Sequence, residues 1–168
     1  MESDYDNYVY PLEINVTVDL PEGFKLLYGA EYEDEENKWS ACSLGFHPDR
    51  ESSDYKVNMN SYIYRKNSSM YQDSFECVVI DTNTQEQNNV CAYCFVYVDK
   101  QSRTALIEPV STRHKYQRRG IGKAMMHGVI LQCKNIGIEK CYVNSFGWRR
   151  KFYSAAGFTT EGSIGFWS

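Results

Sequence analysis

The sequence has no long hydrophobic run. Of its 168 residues 42% are hydrophobic, but no stretch approaches the roughly 18 apolar residues that a transmembrane helix needs. The first thirty residues carry acidic side chains throughout and lack the apolar centre of a secretion signal. We therefore expect a cytoplasmic protein that does not associate with membranes.

The sequence also has only three histidines and no excess of positive charge. Its net charge of −4 gives no reason to expect nucleic-acid binding. Cys91 and Cys94 have the spacing of a metal or redox pair. They lie in a predicted strand, however, where residues three apart point to opposite faces, and no second Cys/His pair has ligand spacing. We expect six reduced cysteines and no metal site.

The first half of the sequence has weaker structural signals than the second. Residues 1–11 are polar and tyrosine-rich and are predicted to form a flexible lead, before a single domain at residues 12–168. Alternating apolar and polar side chains predict a strand at residues 12–18. An acidic run opens a helix at residues 31–44, and residues 47–73 fit either a second helix or a loop over an acceptor cleft.

The second half of the sequence predicts a sheet with crossing helices. Apolar segments joined by polar turns indicate an antiparallel meander of strands at residues 74–80, 90–99 and 105–112. Apolar residues every four positions predict a helix from Ile121 to Ile136, closed by Gly137. The strand at residues 141–145 must then run parallel to the third meander strand. A helix at residues 147–156, with Phe152 and Ala156 facing inward, and strands at residues 158–160 and 163–167 complete the chain. We predict an α/β (α+β) fold whose mixed, mostly antiparallel sheet has helices on both faces.

The strongest functional signal lies at residues 116–123, between a strand and a helix. Gly120 and Gly122 allow a tight turn and close approach of the backbone to a ligand, and the free N–H groups of the helix start then converge on one point. Such a helix start binds anions. The same turn is crowded with basic side chains, although the protein is acidic overall: Arg113, His114, Lys115, Arg118, Arg119 and Lys123. This local excess of positive charge indicates a polyanionic ligand.

The spacing of the glycines distinguishes between the known classes of phosphate-binding loop. A Walker loop is absent, and a dinucleotide fingerprint would need a third glycine where Met125 stands. Gln117, Gly120 and Gly122 instead form Q-x-x-G-x-G, which resembles the acyl-CoA pyrophosphate loop of the GNAT (N-acetyltransferase) superfamily. The strand at residues 107–112 resembles the family strand that pairs with the pantetheine arm, and R-K-F-Y-S-A-A-G-F at residues 150–158 resembles its closing signature. The Ile-Glu-Pro-Val segment at residues 107–110 and the doubled arginine further resemble bacterial proteins that carry two such domains in tandem.

The resemblance implies a fold, a reaction and a set of binding residues. The implied fold is that of GNAT acyl-CoA N-acyltransferases, and the implied reaction is acetyl transfer from acetyl-CoA to a primary amine by direct attack through a tetrahedral intermediate. Val110 and Thr112 would hold the pantetheine. The backbone from Arg118 to Lys123 would hold the pyrophosphate, with phosphate oxygens near side chains of Arg113, Arg118, Arg119 or Lys123. The implied cofactor-binding residues are Val110, Thr112, Gln117, Arg118, Arg119, Gly120, Ile121, Gly122, Lys123 and Asn144.

The resemblance also implies catalytic roles, each with an alternative. Tyr153 matches the tyrosine that the family places beside the thioester sulfur as general acid; otherwise it is a core tyrosine on an amphipathic helix. Glu108 shares the strand face of the family's glutamate base and is either that base or, before Pro109, a structural residue at a bulge. Asn144 is offset by one position from the family asparagine, so Ser145 is the alternative there.

Two other functions and several properties stay open at this point. The main alternative is a non-catalytic module that binds or senses acetyl-CoA, since a fold does not guarantee an activity. A nucleic-acid interface is a weaker alternative, because the basic cluster occupies one turn and lacks interleaved stacking aromatics. The sequence leaves open the acceptor amine, the acyl-chain preference and the oligomeric state, with a homodimer as one alternative.

Overall fold

The computed structural model describes residues 5–47, 51 and 53–164. Within them, the strands are β1 Tyr5–Pro11, β2 Phe24–Tyr28, β3 Glu76–Asp81, β4 Val90–Asp99, β5 Thr104–Thr112, β6 Lys140–Phe146 and β7 Thr159–Ile164. The α-helices are α1 Glu35–Phe46, α2 Ser53–Lys66, α3 Ile121–Asn135 and α4 Arg150–Ala155. The meander strands, the long crossover helix and the strand after it therefore form where the sequence predicts them.

All seven strands join one sheet in the order β2-β3-β4-β5-β6-β1-β7. The pairs β2–β3, β3–β4 and β4–β5 are antiparallel, β5–β6 is parallel, and β1 pairs antiparallel with both β6 and β7. This confirms the mixed, mostly antiparallel sheet, including the parallel pair on either side of α3.

Helices cover both faces of the sheet. Tyr62 of α2 meets Tyr93 of β4 edge to face, with ring centroids 5.8 Å apart. Cys94, the next residue of β4, lies on the other face near Cys133 of α3. The α3 positions spaced four apart are buried as predicted, except that Ile136, just after the helix, is 41% exposed. Asp34 caps the N-terminus of α1, since its carboxylate accepts a hydrogen bond from the Asn37 backbone N–H at 3.0 Å.

The N-terminal segment differs from its prediction. Residues 5–11 form β1 within the sheet rather than a flexible lead, and the first four residues of that predicted lead lie outside the described part. The reason is that Asp6, Tyr8 and Tyr10 alternate along the strand and are each no more than 1% exposed. A strand lined by tyrosines and one paired carboxylate has no apolar alternation by which to recognise it.

Two other predicted strands also differ. Residues 12–18 form no strand, because the chain turns after β1 with an Ile14 N–H to Pro11 C=O bond of 3.2 Å. Ile14 is then 50% exposed and Val18 37% exposed. At the other end one strand, β7, replaces the two predicted at residues 158–160 and 163–167, of which the last three residues lie outside the described part.

The centre of the sheet opens along the parallel pair. Register between β5 and β6 is confined to Thr104–Leu106 against Lys140–Tyr142, and beyond Leu106 the strands separate. On the β4 side, Val110 pairs with Cys94 and Ile107 with Val96, so Glu108 and Pro109 stand opposite one residue in a β-bulge. The gap between the two strands positions the candidate site.

Candidate functional site

A cleft of about 630 Å³ lies where the ends of β5 and α1 meet the starts of α3 and α4. A second, smaller cavity of about 130 Å³ lies between the separated strands β5 and β6. The two share four lining residues: Phe46, Val110, Arg149 and Tyr153. They therefore form adjoining parts of one site.

The start of α3 presents free backbone N–H groups to the larger cleft. Gly120 takes a left-handed conformation at the N-cap (φ 80°), and the Ala124 N–H is the donor to its carbonyl, at 3.0 Å. The amides of Ile121, Gly122 and Lys123 thus precede the first intrahelical bond, at the positive end of a helix without acidic residues in its first turn. A Cβ built on Gly120 would have no heavy atom within 4 Å, so the backbone here is open to a ligand. This geometry suits a phosphate group.

Gln117 lines the larger cleft and also holds the loop in place. Its Nε2 donates to the Thr112 carbonyl at 3.0 Å, which ties the loop to the end of β5. Thr112 also approaches Gly122 closely, because a Cβ there would lie 3.0 Å from the Thr112 hydroxyl. Strand end, loop and helix start are therefore fixed relative to one another.

The basic cluster of the sequence divides into two groups. His114, Arg118 and Lys123 are exposed and line the cleft. Arg113 instead donates to the carbonyls of Asn88 and Val90 at 3.1 and 3.2 Å and lines neither cavity.

The other two cations of the turn also have partners away from the cleft. Lys115 pairs with Glu86 at 2.6 Å. Arg119 lies over the Phe24 ring, 4.9 Å from its centroid, and lines neither cavity. Arg119 can therefore contribute to the site through its backbone.

Two cleft cations were missed by sequence reasoning. Arg149 and Lys151 line the larger cleft from the start of α4, and Arg149 also lines the smaller cavity. The Arg149 guanidinium lies 5.4 Å from the centroid of the Phe46 ring, across the cleft from α4. In the sequence, the run of three basic residues at 149–151 could have indicated these two cations.

The end of α1 forms a cleft wall that was also missed. The Ser111 hydroxyl donates to the carbonyls of Ala41 and Cys42 at 3.1 and 2.8 Å, which binds α1 to β5. A Cβ on Gly45 would overlap that hydroxyl and lie 2.9 Å from the Thr112 nitrogen. Glycine near the end of a helix was the signal, since only its missing side chain allows the helix so close to the strand.

Tyr153 is buried, with 3% exposure, and lines both cavities. Its ring stacks on Tyr8 at 4.8 Å and meets Phe152 and Phe158 edge-on at 5.0 and 5.9 Å. Phe152, predicted to face inward, is instead 36% exposed and lines the larger cleft. Tyr153 therefore combines the packing of a core residue with a position at the site.

Glu108, Asn144 and Ser145 all line the smaller cavity, together with Tyr153. Glu108 is exposed on the bulge of β5. Asn144 is exposed and Ser145 is 7% exposed, as expected for neighbours on opposite faces of β6. The structure thus brings the two predicted catalytic side chains to one cavity.

The described residues contain neither a candidate metal cluster nor a candidate membrane-spanning helix. Among them, no group of three or more His, Cys, Asp or Glu side chains could hold a metal ion. All six cysteines are free and buried, and burial raises the pKa of the Cys91 thiol to about 12. No helix in the described ranges has the length and apolarity to cross a bilayer.

Residues 73–160 match the family model of the acetyltransferase (GNAT) domain. That range contains β3 to β6, α3, α4 and nearly all of the cleft. The comparison with curated proteins found no match.

Comparison with solved structures finds the same fold in distant proteins. A GCN5-related N-acetyltransferase from Sphaerobacter thermophilus superposes with a TM-score of 0.75 at 16% identity, over 96% of this chain and 50% of that one. A tandem GNAT protein of the clavulanic acid biosynthesis pathway gives 0.69 at 10% identity, over 99% and 53%. Glucosamine-6-phosphate N-acetyltransferase from Arabidopsis thaliana gives 0.56 at 16% identity, over 88% and 98%. The chain spans about half the length of the first two.

Proposed function

We propose that this chain, which belongs to the GNAT acetyltransferase family, transfers an acetyl group from acetyl-CoA to a primary amine. One observation carries the proposal. The open, positively charged start of α3 faces a cleft that runs directly into the gap between β5 and β6. A long ligand with phosphates at one end and a reactive group at the other fits that shape.

The described residues fit acetyl-CoA along the whole path. The amides of Ile121, Gly122 and Lys123 would bind the pyrophosphate, supported by the exposed Arg118 and Lys123 side chains. Because β5 and β6 no longer pair beyond Leu106, the edge of β5 near Val110 has backbone groups for the pantetheine amides. When bound, acetyl-CoA would supply the activated acyl group.

The catalytic step then uses the two side chains at the smaller cavity. The amine nitrogen forms a bond to the thioester carbonyl carbon, and the backbone N–H at Val110 stabilises the oxyanion. As the carbon–sulfur bond breaks, the Tyr153 hydroxyl gives its proton to the leaving thiolate. Glu108, exposed at the same cavity, accepts the proton that the amine loses. Acetylated amine and free CoA are the products.

The experiment begins with a thermal-shift titration of the protein with acetyl-CoA and with CoA. A ligand that binds only the folded state raises the melting temperature. Thiol release is then measured over an amine panel that includes lysine peptides, polyamines, glucosamine and glucosamine 6-phosphate, the last because a structural neighbour is named for it. A shift with turnover supports the proposal. A shift without turnover favours a non-catalytic acetyl-CoA-binding module. If neither ligand shifts the melting temperature, the assignment of residues 117–123 as a phosphate-binding loop is rejected.

Tyr153→Phe tests the general acid. We expect kcat to fall by about 10²-fold, with unchanged acetyl-CoA affinity, since only the hydroxyl is lost. Tyr142→Phe is the matched control, because Tyr142 lines neither cavity. Wild-type kcat in Tyr153→Phe would reject this role.

A further inference from the structure

Tyr8 contacts Tyr153, the proposed general acid, outside the two cavities. Its ring stacks on Tyr153 with centroids 4.8 Å apart and planes 30° apart. Tyr8 is 0% exposed and lines neither cavity, so its route to the reaction is through Tyr153. It belongs to β1, the strand that lies between β6 and β7.

The Tyr8 ring is itself fixed by a buried charge. Its hydroxyl donates to Asp6 Oδ2 at 2.9 Å, and Asp6 is 0% exposed. Arg150 donates to the same carboxylate oxygen from Nε at 3.1 Å and from Nη2 at 2.8 Å. Burial, reinforced by the Asp6 carboxylate, raises the pKa of Tyr8 to about 12. The hydroxyl therefore keeps its proton and its bond to Asp6 at neutral pH.

The same carboxylate ties β1 to the helix that carries Tyr153. Arg150 is the first residue of α4, a helix of only six residues. So short a helix has little stability of its own and takes its orientation from what it packs against. Asp6 holds its first turn through Arg150, while Tyr8 supports the Tyr153 ring one turn later.

We propose that Tyr8, anchored by Asp6 and Arg150, is a positioning residue that orients the Tyr153 hydroxyl toward the thioester sulfur. This inference rests on the proposed role of Tyr153 as general acid. A catalytic group must be held close to its productive geometry, and a displacement of about 1 Å costs up to 10²-fold in rate. The stacked ring and its hydrogen bonds supply that restraint from outside the cavity.

The test replaces Tyr8 in two backgrounds, wild type and Tyr153→Phe, and measures thiol release with the most active amine of the panel. We expect Tyr8→Leu to lower kcat about tenfold or more with Tyr153 present, with KM for acetyl-CoA unchanged. In the Tyr153→Phe background the same substitution should have no further effect on kcat. Tyr8→Phe keeps the stacked ring but loses the bond to Asp6, so its kcat should lie between those of Tyr8→Leu and the wild type.

Tyr10→Leu is the matched control. Tyr10 lies on the same face of β1, is 1% exposed and meets Phe158 rather than Tyr153. It should lower the melting temperature like Tyr8→Leu while leaving kcat near wild type. A comparable loss of kcat in Tyr10→Leu, or an equal effect of Tyr8→Leu in both backgrounds, would mean general destabilisation and overturn the proposal.

A binding measurement gives a second readout that needs no acceptor. A Tyr153 hydroxyl aimed at the sulfur should favour CoA over desulfo-CoA by about fivefold, and Tyr8→Leu should remove that preference. An unchanged ratio in folded Tyr8→Leu contradicts the inference. Failure of the proposed function is recognised separately, because the wild-type protein would then release no thiol with any amine of the panel. Wild-type kcat in the single variant Tyr153→Phe would instead reject the general-acid role and with it the basis of the Tyr8 role.

Discussion

We expect Lys38→Met to destabilise the protein strongly, because it removes the counter-ion of a buried carboxylate. Lys38 is 1% exposed and Glu76 0% exposed, and their charged atoms are 2.9 Å apart. Glu76 also accepts hydrogen bonds from Tyr71 at 2.9 Å and Tyr93 at 2.8 Å. With Met at position 38 the carboxylate would keep the two tyrosines but lose its positive partner.

The expected cost follows from that geometry. Breaking a buried pair by removing one partner costs about 3–5 kcal/mol. The lower end applies here, since two hydroxyl donors remain on Glu76 and the methionine fills most of the lysine volume. At about 2–4 °C per kcal/mol for a chain of this size, the melting temperature should fall by roughly 6–12 °C.

The pair should contribute its full stability at neutral pH. Burial acts to lower the pKa of Lys38, but its contacts with Glu76 and Glu35 outweigh burial and raise that pKa above its ordinary value of 10.5. A raised lysine pKa means a stabilisation that is complete below 10.5 and is lost as the pH rises through the folded-state value. Measurements at pH 7 are therefore appropriate.

Urea unfolding followed by circular dichroism checks this prediction, with Lys115→Met as control. Lys115 pairs with Glu86, but these side chains are 45% and 55% exposed, so its loss should cost less than about 1 kcal/mol. Glu76→Gln alone should also be costly, whereas the double variant with Lys38→Met should be less destabilised than the sum of the two. A cost below about 1 kcal/mol for Lys38→Met, or strict additivity, would refute the reasoning.

Three further outcomes are expected. Gly45→Ala should lower the melting temperature by several degrees, measured by thermal unfolding, although alanine favours helices, because its Cβ would overlap the Ser111 hydroxyl. Lys123→Ala should weaken acetyl-CoA binding in calorimetry by about tenfold, whereas Arg113→Ala should mainly lower stability, because Arg113 bonds backbone carbonyls away from the cleft. Burial acts to raise the pKa of Glu35, but hydrogen bonds from a tyrosine and two lysines outweigh it and lower that pKa. The resulting stability is present above about pH 4.5 and is lost as the pH falls through the folded-state pKa, so Glu35→Gln should show a shallower loss of melting temperature between about pH 5 and 3.

The phosphate loop could be predicted from the sequence because its determinants are local. Gln117, Gly120 and Gly122 act within one turn, and a strand before and a helix after them complete the geometry. The parallel pairing of β5 and β6 could be predicted in the same way, since a crossover helix permits no other strand direction. Patterns of this kind depend on neighbours along the chain.

The missed features depend on residues far apart in sequence. β1 was assigned to a flexible lead because Asp6 is an unfavourable core residue unless Arg150, 144 positions later, supplies its partner. In the same way, Arg149 became a site residue only when the fold placed it over Phe46. Neither pairing leaves a periodic signal in its own segment.

The buried ion pair and the cleft lie at opposite ends of α1, and this gives Lys38→Met a second expected effect. Lys38 fixes the first half of the helix to β3, while Ser111 and His114 fix its end, the latter through Nδ1 at 3.2 Å from the Leu44 carbonyl. A helix moves largely as one body, so loosening Lys38 should shift the cleft wall at Phe46. We expect acetyl-CoA affinity to fall severalfold in folded Lys38→Met, measured by calorimetry well below its melting temperature, although Lys38 lines neither cavity. Lys115→Met, which removes the same charge from an exposed site outside both cavities, should bind acetyl-CoA like the wild type. An unchanged affinity in Lys38→Met would show that the end of α1 is held by Ser111 and His114 alone.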